Sequence, residues 1–291
     1  MNGEQLSLAV HLHLYYVDMW PEIKDYLSNI GEYAYDLYVT LSAENPELEA
    51  EIKKFKPEAQ VWVVENRGYD VGAFVYFLNH IRLSDYDYIL KIHTKNTTRD
   101  VLTHVNHFYL KNSEWSKLLW DGVLKTRERV KEIIELLSDE SVGMVGSWFL
   151  VTKTLKNTNQ VTESCHSIMR KMGFVVPKKI AFIPGTMFWV KSKLMEPIKN
   201  NFQLTDFEES GASGVDGSMA HAMERVFGSI VDSRGYQIKG VGFEFLSAFL
   251  LAIRPFLRFC FQKKITHNGK MIIKVLKLPV YRKVVNRECR L

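Results

Sequence analysis

The chain has 291 residues, of which 46% are hydrophobic, and its formal net charge is +5 at pH 7. A chain of this length and composition can bury a large core, which excludes an intrinsically disordered protein. The three cysteines, Cys165, Cys260 and Cys289, lie far apart without CxxC spacing. A disulfide framework and a zinc cluster are therefore disfavoured, and a reducing cytoplasm is indicated. The first residues, "MNGEQLSLAVHLHLYY", lack the basic and apolar regions of a secretion signal.

Positive charge is concentrated at the C-terminal end of the chain. Residues 252–291 contain eleven Lys or Arg and one acid, Glu288. Because this block is also apolar, residues 241–291 are predicted to form a basic amphipathic helical tail on the anionic inner face of the cell membrane. A helix packed on the body with its basic face in solvent is an equally good interpretation. Nucleic-acid binding is disfavoured because no recognition motif accompanies the charge.

Strand and helix patterns alternate through the first 95 residues. This rhythm predicts βαβ units and a mostly parallel sheet flanked by helices, with ligands at the carboxyl ends of the strands. A helix is expected from about Gly72 to His80. The predicted strands are "LSLAVHLHLYY", "YDLYVTL", "QVWVVEN" and "YDYILKIHTK", and the two earlier helices are "MWPEIKDYLSNI" and "NPELEAEIKKF".

The middle of the chain is more helical. Two helices are predicted in "NSEWSKLLWDGVLKTRERVKEIIELLSDE" and a strand in "SVGMVGSWF", followed by a loop or small helical insertion over residues 150–179. A buried strand in "IAFIPGTMFWVKSKLMEPI" is broken at Pro184 and Gly185. A Gly/Ser-rich loop then leads to a helix over residues 218–227. We predict one α/β domain over residues 1–240, followed by the tail.

Seven segments of the chain, in this order, resemble a GT-A type nucleotide-sugar glycosyltransferase. More closely, they resemble the rhamnan synthesis protein F family, bacterial glycosyltransferase domains of cell-wall and capsular polysaccharide assembly. The resemblance covers residues 11–237 and implies transfer of rhamnose or a similar sugar, with inversion, to a surface polysaccharide or lipid-linked glycan. The donor that it implies is dTDP-rhamnose or a UDP-sugar. The segments are "HLHLYYVDMWPEIKDYL", "YDLYVTL", "ENRGYDVGAF", "YDYILKIHTK", "GMVGS", "FIPGTMFWVK" and "GVDGSMAHAMERVFG".

The turn after the third strand is predicted to bind the donor. In related enzymes an Asn-x-Gly turn packs beside the nucleotide, and Asn66, Arg67, Gly68 and Asp70 occupy it here. Gly68 permits a positive φ, and the free N–H groups at the start of the following helix can face an anion. Arg67 can donate two hydrogen bonds to a phosphate, and Asp70 can accept a hydrogen bond from a hydroxyl group. A polar turn with a surface Arg67–Asp70 pair is the alternative.

The end of the fourth strand departs from most GT-A enzymes, which carry a metal-binding Asp-x-Asp there. This chain has Lys91, His93 and Lys95 instead, and its only Asp-x-Asp, at Asp85 and Asp87, precedes the strand. Fixed cations can neutralise a leaving diphosphate as a metal does. We therefore expect metal-independent transfer and no cofactor, with a divalent cation as the alternative. The expected donor-binding residues are Thr40, Lys91, His93 and Lys95, in addition to those of the turn, with His93 also assigned a catalytic role.

Asp216 is the predicted general base of an inverting transfer. It lies in a Gly-flanked loop before a helix, a position that a helix N-cap would explain equally well. A structural charge pair is likewise an alternative for Lys91, and a metal site at His11 and His13 is disfavoured for want of a third ligand. The expected acceptor-side residues are Gly185, Thr186, His221, Glu224 and Arg225.

A function of another class is also compatible with this sequence. The missing Asp-x-Asp favours a non-catalytic glycan-binding or assembly subunit of a polysaccharide synthesis complex. An enzyme should require the carboxylate of Asp216, whereas a binding subunit should tolerate its loss. No GxSxG, P-loop or GxGxxG motif is present, which disfavours the common hydrolases, kinases and dehydrogenases.

Overall fold

The computed structural model describes residues 6–95, 102–105, 108–152, 160–175, 180–209, 218–265, 270–275 and 278–284. The chain divides into two compact units. The first comprises Met1–Val101 and Lys111–Phe243, and the second comprises Leu102–Leu110 and Glu244–Leu291. The second unit therefore combines the C-terminal region, predicted as a separate tail, with a short segment from the first half of the chain.

A seven-stranded sheet forms the centre of the first unit, in the order β3-β2-β1-β4-β8-β7-β9. Neighbouring strands run parallel except at β8, which is antiparallel to β4 and β7. The predicted mostly parallel sheet is thus confirmed. The strands are β1 (Leu8–His13), β2 (Tyr35–Leu41), β3 (Gln60–Val63), β4 (Tyr88–His93), β7 (Val142–Ser147), β8 (Phe188–Lys191) and β9 (Gln237–Val241).

Helices pack around this sheet, and local sequence explains where several of them begin. The Asn45 side chain accepts from Leu48 N at 3.0 Å, and Thr126 Oγ1 accepts from Arg129 N at 3.2 Å, so each caps a helix N-terminus. The helices are α1 (Trp20–Ser28), α2 (Pro46–Phe55), α3 (Tyr69–His80), α4 (Asn112–Leu124), α5 (Arg127–Ser138), α6 (Gln160–Lys171), α7 (Glu196–Asn201) and α8 (Met219–Ser233).

One of these boundaries differs from the prediction and another agrees with it. Helix α3 begins at Tyr69 rather than near Gly72, because Gly68 adopts a left-handed conformation and its carbonyl accepts from Gly72 N at 3.0 Å. Strand β8 begins at Phe188, just after the predicted break at Pro184 and Gly185, and the backbone at Gly185 and Thr186 has φ values of 86° and 50°. Both boundaries fall beside the cavity described below.

The second unit contains helix α9 (Phe245–Cys260). Two strands, β5 (Leu102–Val105) and β6 (Phe108–Lys111), form a small sheet. An antiparallel sheet of β10 (Phe261–Ile265), β11 (Lys270–Val275) and β12 (Leu278–Val284) follows α9.

The prediction of a helical tail is therefore correct only for its first part. Segments such as "KMIIKV" are rich in β-branched residues, which favour strands over helices. In the part of the chain that the structure describes, no helix is both long and apolar enough to cross a membrane.

Candidate active site

A cavity of about 440 Å³ lies at the carboxyl ends of β1 and β4. Its volume is within the range of small-molecule sites, and its position is the one at which open α/β sheets bind ligands. Four parts of the first unit contribute side chains: the ends of β1 and β4, the β3–α3 turn and the start of α4. The lining residues are His13, Tyr15, Tyr16, Asn66, Tyr69, Asp70, His93, Thr94, Lys95, Asn112 and Trp115.

The strand register brings polar side chains to this edge. His13 of β1 pairs with Thr40 of β2 on one side and with His93 of β4 on the other. Thr94 continues the arrangement, because its Oγ1 accepts from the backbone N of Tyr15 and of Tyr16, both at 3.0 Å. Thr94 thus fixes the start of the loop that carries both tyrosines.

A buried ion pair forms the floor of the cavity. Lys91 Nζ donates to Asp70 Oδ2 at 2.5 Å and to Thr186 Oγ1 and O at 2.8 and 3.0 Å. Thr186 Oγ1 donates in turn to Asp70 Oδ2 at 2.6 Å. All three ammonium protons of Lys91 therefore have acceptors, although the side chain is fully buried.

The charges of this pair depend on each other. Burial raises the pKa of the Asp70 carboxyl, but the neighbouring His93 and Lys91, together with the hydrogen bond from Thr186, outweigh burial, and the pKa lies well below its usual range. Burial lowers the pKa of Lys91, and Asp70 opposes that shift. The structural charge pair considered for Lys91 is thus present, with Asp70 as its partner.

His93 is held between two carbonyl groups. Its Nε2 lies 2.7 Å from Gly185 O and its Nδ1 lies 2.9 Å from Thr94 O. Only the doubly protonated imidazolium can donate to both oxygens. Burial lowers the pKa of His93, while Asp70 Oδ2, at 3.7 Å from Nε2, acts in the opposite direction. A charged His93 therefore depends on the Asp70 carboxylate.

The Gly185–Thr186 turn connects this cluster to α8. Both residues have positive φ, which strains a threonine backbone, and such strain often occurs at functional sites. Glu224 of α8 anchors the turn, because its Oε1 accepts from Gly185 N at 2.6 Å. Burial raises the pKa of Glu224. Glu224 thus fixes the carbonyl that contacts His93.

Lys95 and Trp115 form one wall. Lys95 Nζ lies 3.8 Å from the centroid of the Trp115 ring, a cation–π contact. Burial lowers the pKa of Lys95, whereas Asp70 and Glu224 oppose that shift. The indole Nε1 of Trp115 is buried without a hydrogen-bond partner. This wall offers a cation and an aromatic ring to a ligand.

Arg67 points away from the cavity. Its guanidinium binds Glu65 Oε2 at 2.7 Å, Phe207 O at 3.1 Å and Glu209 Oε1 at 3.1 Å. Its acidic partners are therefore Glu65 and Glu209 rather than Asp70, and it fastens the β3–α3 turn to residues 207–209. The expected positive φ of Gly68 is observed, at 63°, and a Cβ there would lie 2.4 Å from the Phe207 ring.

The remaining predicted residues lie as follows. Thr40 Oγ1 contacts both His11 Nε2 and His13 Nδ1, at 3.1 and 3.0 Å. His221 Nδ1 lies 2.7 Å from Ser218 Oγ, and the His221 carbonyl accepts from Arg225 Nη1 at 2.6 Å. Asp216 lies outside the described residues.

The Asp-x-Asp of this chain lies away from the cavity. Asp87 Oδ2 accepts from Ser7 N at the amino end of β4, as expected for an Asp-x-Asp that precedes the strand. Among the described residues, no group of three or more His, Cys, Asp or Glu could hold a metal ion.

The cavity also contains two residues that the sequence did not single out, Trp115 and Asn112 of α4. Tyr69, in the β3–α3 turn that was predicted to bind the donor, lines the cavity as well. Tyr69 has a φ of 54°, unusual for a tyrosine, which no sequence pattern indicates. The α4 residues belong to a helix whose apolar periodicity signals packing alone, so their place in the cavity appears only once α4 is packed in the fold.

The fold and the cavity define an α/β protein with a cavity of small-molecule size at the carboxyl edge of a mostly parallel sheet. The family described as Rhamnan synthesis protein F matches residues 1–236, a range that contains every cavity residue. The chain therefore belongs to the rhamnan synthesis protein F family, and the resemblance found in the sequence is confirmed.

Two curated relatives come from strains of Xanthomonas campestris pv. campestris, and both are described as uncharacterized protein WxcX. They are 25% and 24% identical to the chain over 238 residues, which is 81% of its length. The chain spans only 33% of their length. A crystal structure of S. aureus TarS 1-349 is similar with 9% identity and a TM-score of 0.44, covering 82% of this chain and 59% of that one. A likeness of that size assigns no function.

Proposed function

We propose that the chain is a glycosyltransferase that moves a sugar from a nucleotide-sugar donor to a bacterial surface polysaccharide or lipid-linked glycan. Membership of the rhamnan synthesis protein F family supports this proposal. By analogy with the family, the donor is dTDP-rhamnose, with a UDP-sugar as the alternative, and the transfer inverts the anomeric centre.

The observation that carries the proposal is the cavity at the ends of β1 and β4. It combines the ammonium group of Lys95 and the imidazole of His93, which is a cation only when protonated, with the rings of Tyr15, Tyr16 and Trp115. A nucleotide diphosphate sugar needs such a combination: positive charge for the diphosphate, and ring faces for the base and the sugar. The size of the cavity, about 440 Å³, fits part of such a donor.

Lys95 and His93 are proposed to neutralise the charge that develops on the leaving diphosphate, without a metal. Lys91 has a different part, because Asp70 and Thr186 already satisfy its ammonium group. Lys91 is proposed to hold Asp70 ionised, and Asp70 in turn favours the charged form of His93. Asn66, at the cavity wall, is proposed to bind the donor directly.

The chemical step follows from inversion. The acceptor hydroxyl oxygen attacks the anomeric carbon, the bond from that carbon to the diphosphate oxygen breaks, and the proton passes to the Asp216 carboxylate. The diphosphate leaves with the bonding electron pair. His221, Glu224 and Arg225, on the helix that follows Asp216, are proposed to lie on the acceptor side.

Calorimetric titration tests donor binding. The protein is titrated with dTDP-rhamnose, UDP-galactose, UDP-glucose and GDP-mannose, each with EDTA and with magnesium. We expect one donor to bind equally well in EDTA, because fixed cations replace the metal. Binding that appears only with magnesium would contradict metal-independent transfer. Absence of binding by every donor under both conditions would contradict the proposal that the cavity binds a nucleotide-sugar donor.

Asp216→Asn separates an enzyme from a glycan-binding subunit. An enzyme loses turnover of the donor found by calorimetry but keeps its affinity for that donor, because the base acts in the chemical step. Asp232→Asn, at an exposed position near the end of α8, is the matched control. Unchanged turnover in Asp216→Asn with native folding would show that Asp216 is not the base.

A further inference from the structure

Helix α9 has an inverted distribution of side chains. In most surface helices of globular proteins the apolar face packs inward. In α9 five bulky apolar residues face outward and are between 50% and 75% exposed. These five residues, here called the exposed face, are Phe245, Leu246, Phe249, Leu250 and Phe256.

Contacts on the opposite side of α9 fix the direction in which the exposed face points. Ser247 and Ala248 are half-buried, and Leu251 is 9% exposed. Arg254 Nη1 donates to the carbonyl of Tyr109 at 2.6 Å, within the same compact unit. The helix therefore has defined partners on one side, so the exposed face is a property of its packing.

An exposed apolar face of this extent is typical of an interaction site. The charge of the surrounding sequence indicates the kind of partner. No Asp or Glu occurs between Glu244 and Glu288, whereas residues 252–291 contain eleven Lys or Arg. A partner must therefore offer both an apolar interior and an anionic surface.

We propose that α9 lies in the interface of an anionic lipid bilayer, with the exposed face among the acyl chains. The excess of Lys and Arg over residues 252–291 then attracts the protein to acidic headgroups. Helix α9 has 16 residues and is about 24 Å long along its axis. A helix of this length can lie flat with all five exposed side chains on the side that faces the membrane.

A second copy of the chain fits this face less well than a bilayer does. Two copies joined through α9 would bring two strongly basic blocks together, and like charges at short range repel. An anionic bilayer instead supplies opposite charge around the apolar contact. The proposal is independent of the transferase activity, because it concerns binding to lipid alone.

Vesicle sedimentation with the full chain tests the proposal. The vesicles are phosphatidylcholine alone, or phosphatidylcholine mixed with phosphatidylglycerol. We expect binding to the mixed vesicles that weakens as salt is raised, because salt screens the attraction to the headgroups. Much weaker binding to phosphatidylcholine alone is expected for the same reason.

The double variant Phe249→Glu/Phe256→Glu should weaken binding to the mixed vesicles by at least about tenfold, since it removes two inserted rings. Both side chains are exposed, so circular dichroism and the thermal midpoint should not change. Val175→Glu is the matched control, because Val175 is 88% exposed and lies in the other unit. That control should bind like the original chain.

Three results would overturn the proposal. The first is equal binding to neutral and mixed vesicles, which removes the role of charge. The second is unchanged binding in the double variant, which removes the role of the exposed face. The third is absence of vesicle binding together with self-association that the double variant abolishes, which makes α9 an interface between copies of the chain.

Discussion

Lys91 and Lys95 lie four residues apart at the end of one strand, yet their environments differ. Lys91 is fully buried, and three hydrogen bonds to Asp70 and Thr186 satisfy its ammonium group. Lys95 lines the cavity and lies over the ring of Trp115. The first lysine therefore has a structural role beneath the site, and the second is available to a ligand.

Replacing Lys91 by Met should destabilise the fold by about 3–5 kcal/mol, because it leaves the Asp70 carboxylate buried without its cation. Lys95→Met should change stability by less than about 1 kcal/mol but weaken binding of the donor. Urea unfolding measures the first effect and calorimetry the second. The double variant Asp70→Asn/Lys91→Met should recover part of the lost stability. Equal stability of Lys91→Met and the original chain would refute the ion-pair argument.

His13 gives the fold a dependence on pH. Burial lowers its pKa from 6.5 to about 4. Between these values the unfolded chain binds more protons than the folded chain, so stability falls as the pH is lowered through this window. The expected slope is about 1.4 kcal/mol per pH unit for this histidine.

His13→Gln should reduce that slope, measured by urea unfolding at several pH values from neutral down to the acid side. Comparing slopes rather than stabilities removes the effect of the altered contact with Thr40. His80→Gln, at an exposed histidine, serves as the control. An identical slope in His13→Gln and the original chain would mean that protonation of His13 does not change the free energy of unfolding.

The β3–α3 turn shows how one short element positions the site. The left-handed conformation of Gly68 leads the chain directly into α3, and Arg67 binds residues 207–209. Asp70 accepts a hydrogen bond from the buried Lys91 of β4. The turn brings Asn66, Tyr69 and Asp70 to the cavity within five residues.

Gly68→Ala should destabilise the fold by more than about 2 kcal/mol, since alanine is strained at positive φ and its Cβ would collide with Phe207. Gly173→Ala is a matched control: its φ is +78° and nothing lies within 4 Å of the added Cβ. It should cost only the strain, about 1 kcal/mol. Equal losses in thermal or urea unfolding would show that contact with Phe207 is unimportant.

Periodicity predicted most elements of the sheet correctly. Strands β1 to β4 with their intervening helices follow local patterns, because each helix and strand buries one face or both in the same core. The break before β8 was predicted from Pro184 and Gly185, whereas the strands of the C-terminal region were missed. Those strands depend on pairing between segments, which local hydrophobicity does not specify.

Some of the residues that line the cavity were also proposed from the sequence, and others were not. Asp70, His93 and Lys95 could be proposed because they follow strands whose ends share one edge. The contacts of Arg67 with residues 207–209 could not be, because the partners lie about 140 residues away along the chain. Trp115 likewise enters the cavity only through the packing of α4.

The two proposals assign donor binding to the first compact unit and membrane binding to the second. A variant in one unit should therefore leave the binding activity of the other unit unchanged. Lys95→Met should weaken donor binding and leave vesicle binding unchanged, whereas Phe249→Glu/Phe256→Glu should do the reverse. Variants without shared partners usually act independently. Calorimetry and vesicle sedimentation on both variants test this expectation. Loss of both activities in either variant would show that the sites are coupled.

The composition of the second unit has a consequence for synthesis of the chain. Leu102–Leu110 belongs to this unit, yet 133 residues of the first unit are translated before Glu244, the next residue of the second. At bacterial elongation rates that interval lasts on the order of 7–27 s. During this interval Tyr109 has been synthesised, but Arg254, which donates a hydrogen bond to its carbonyl, has not. Slowing or pausing the ribosome within this interval therefore lengthens the time for which a short β-forming segment is open to proteases and chaperones.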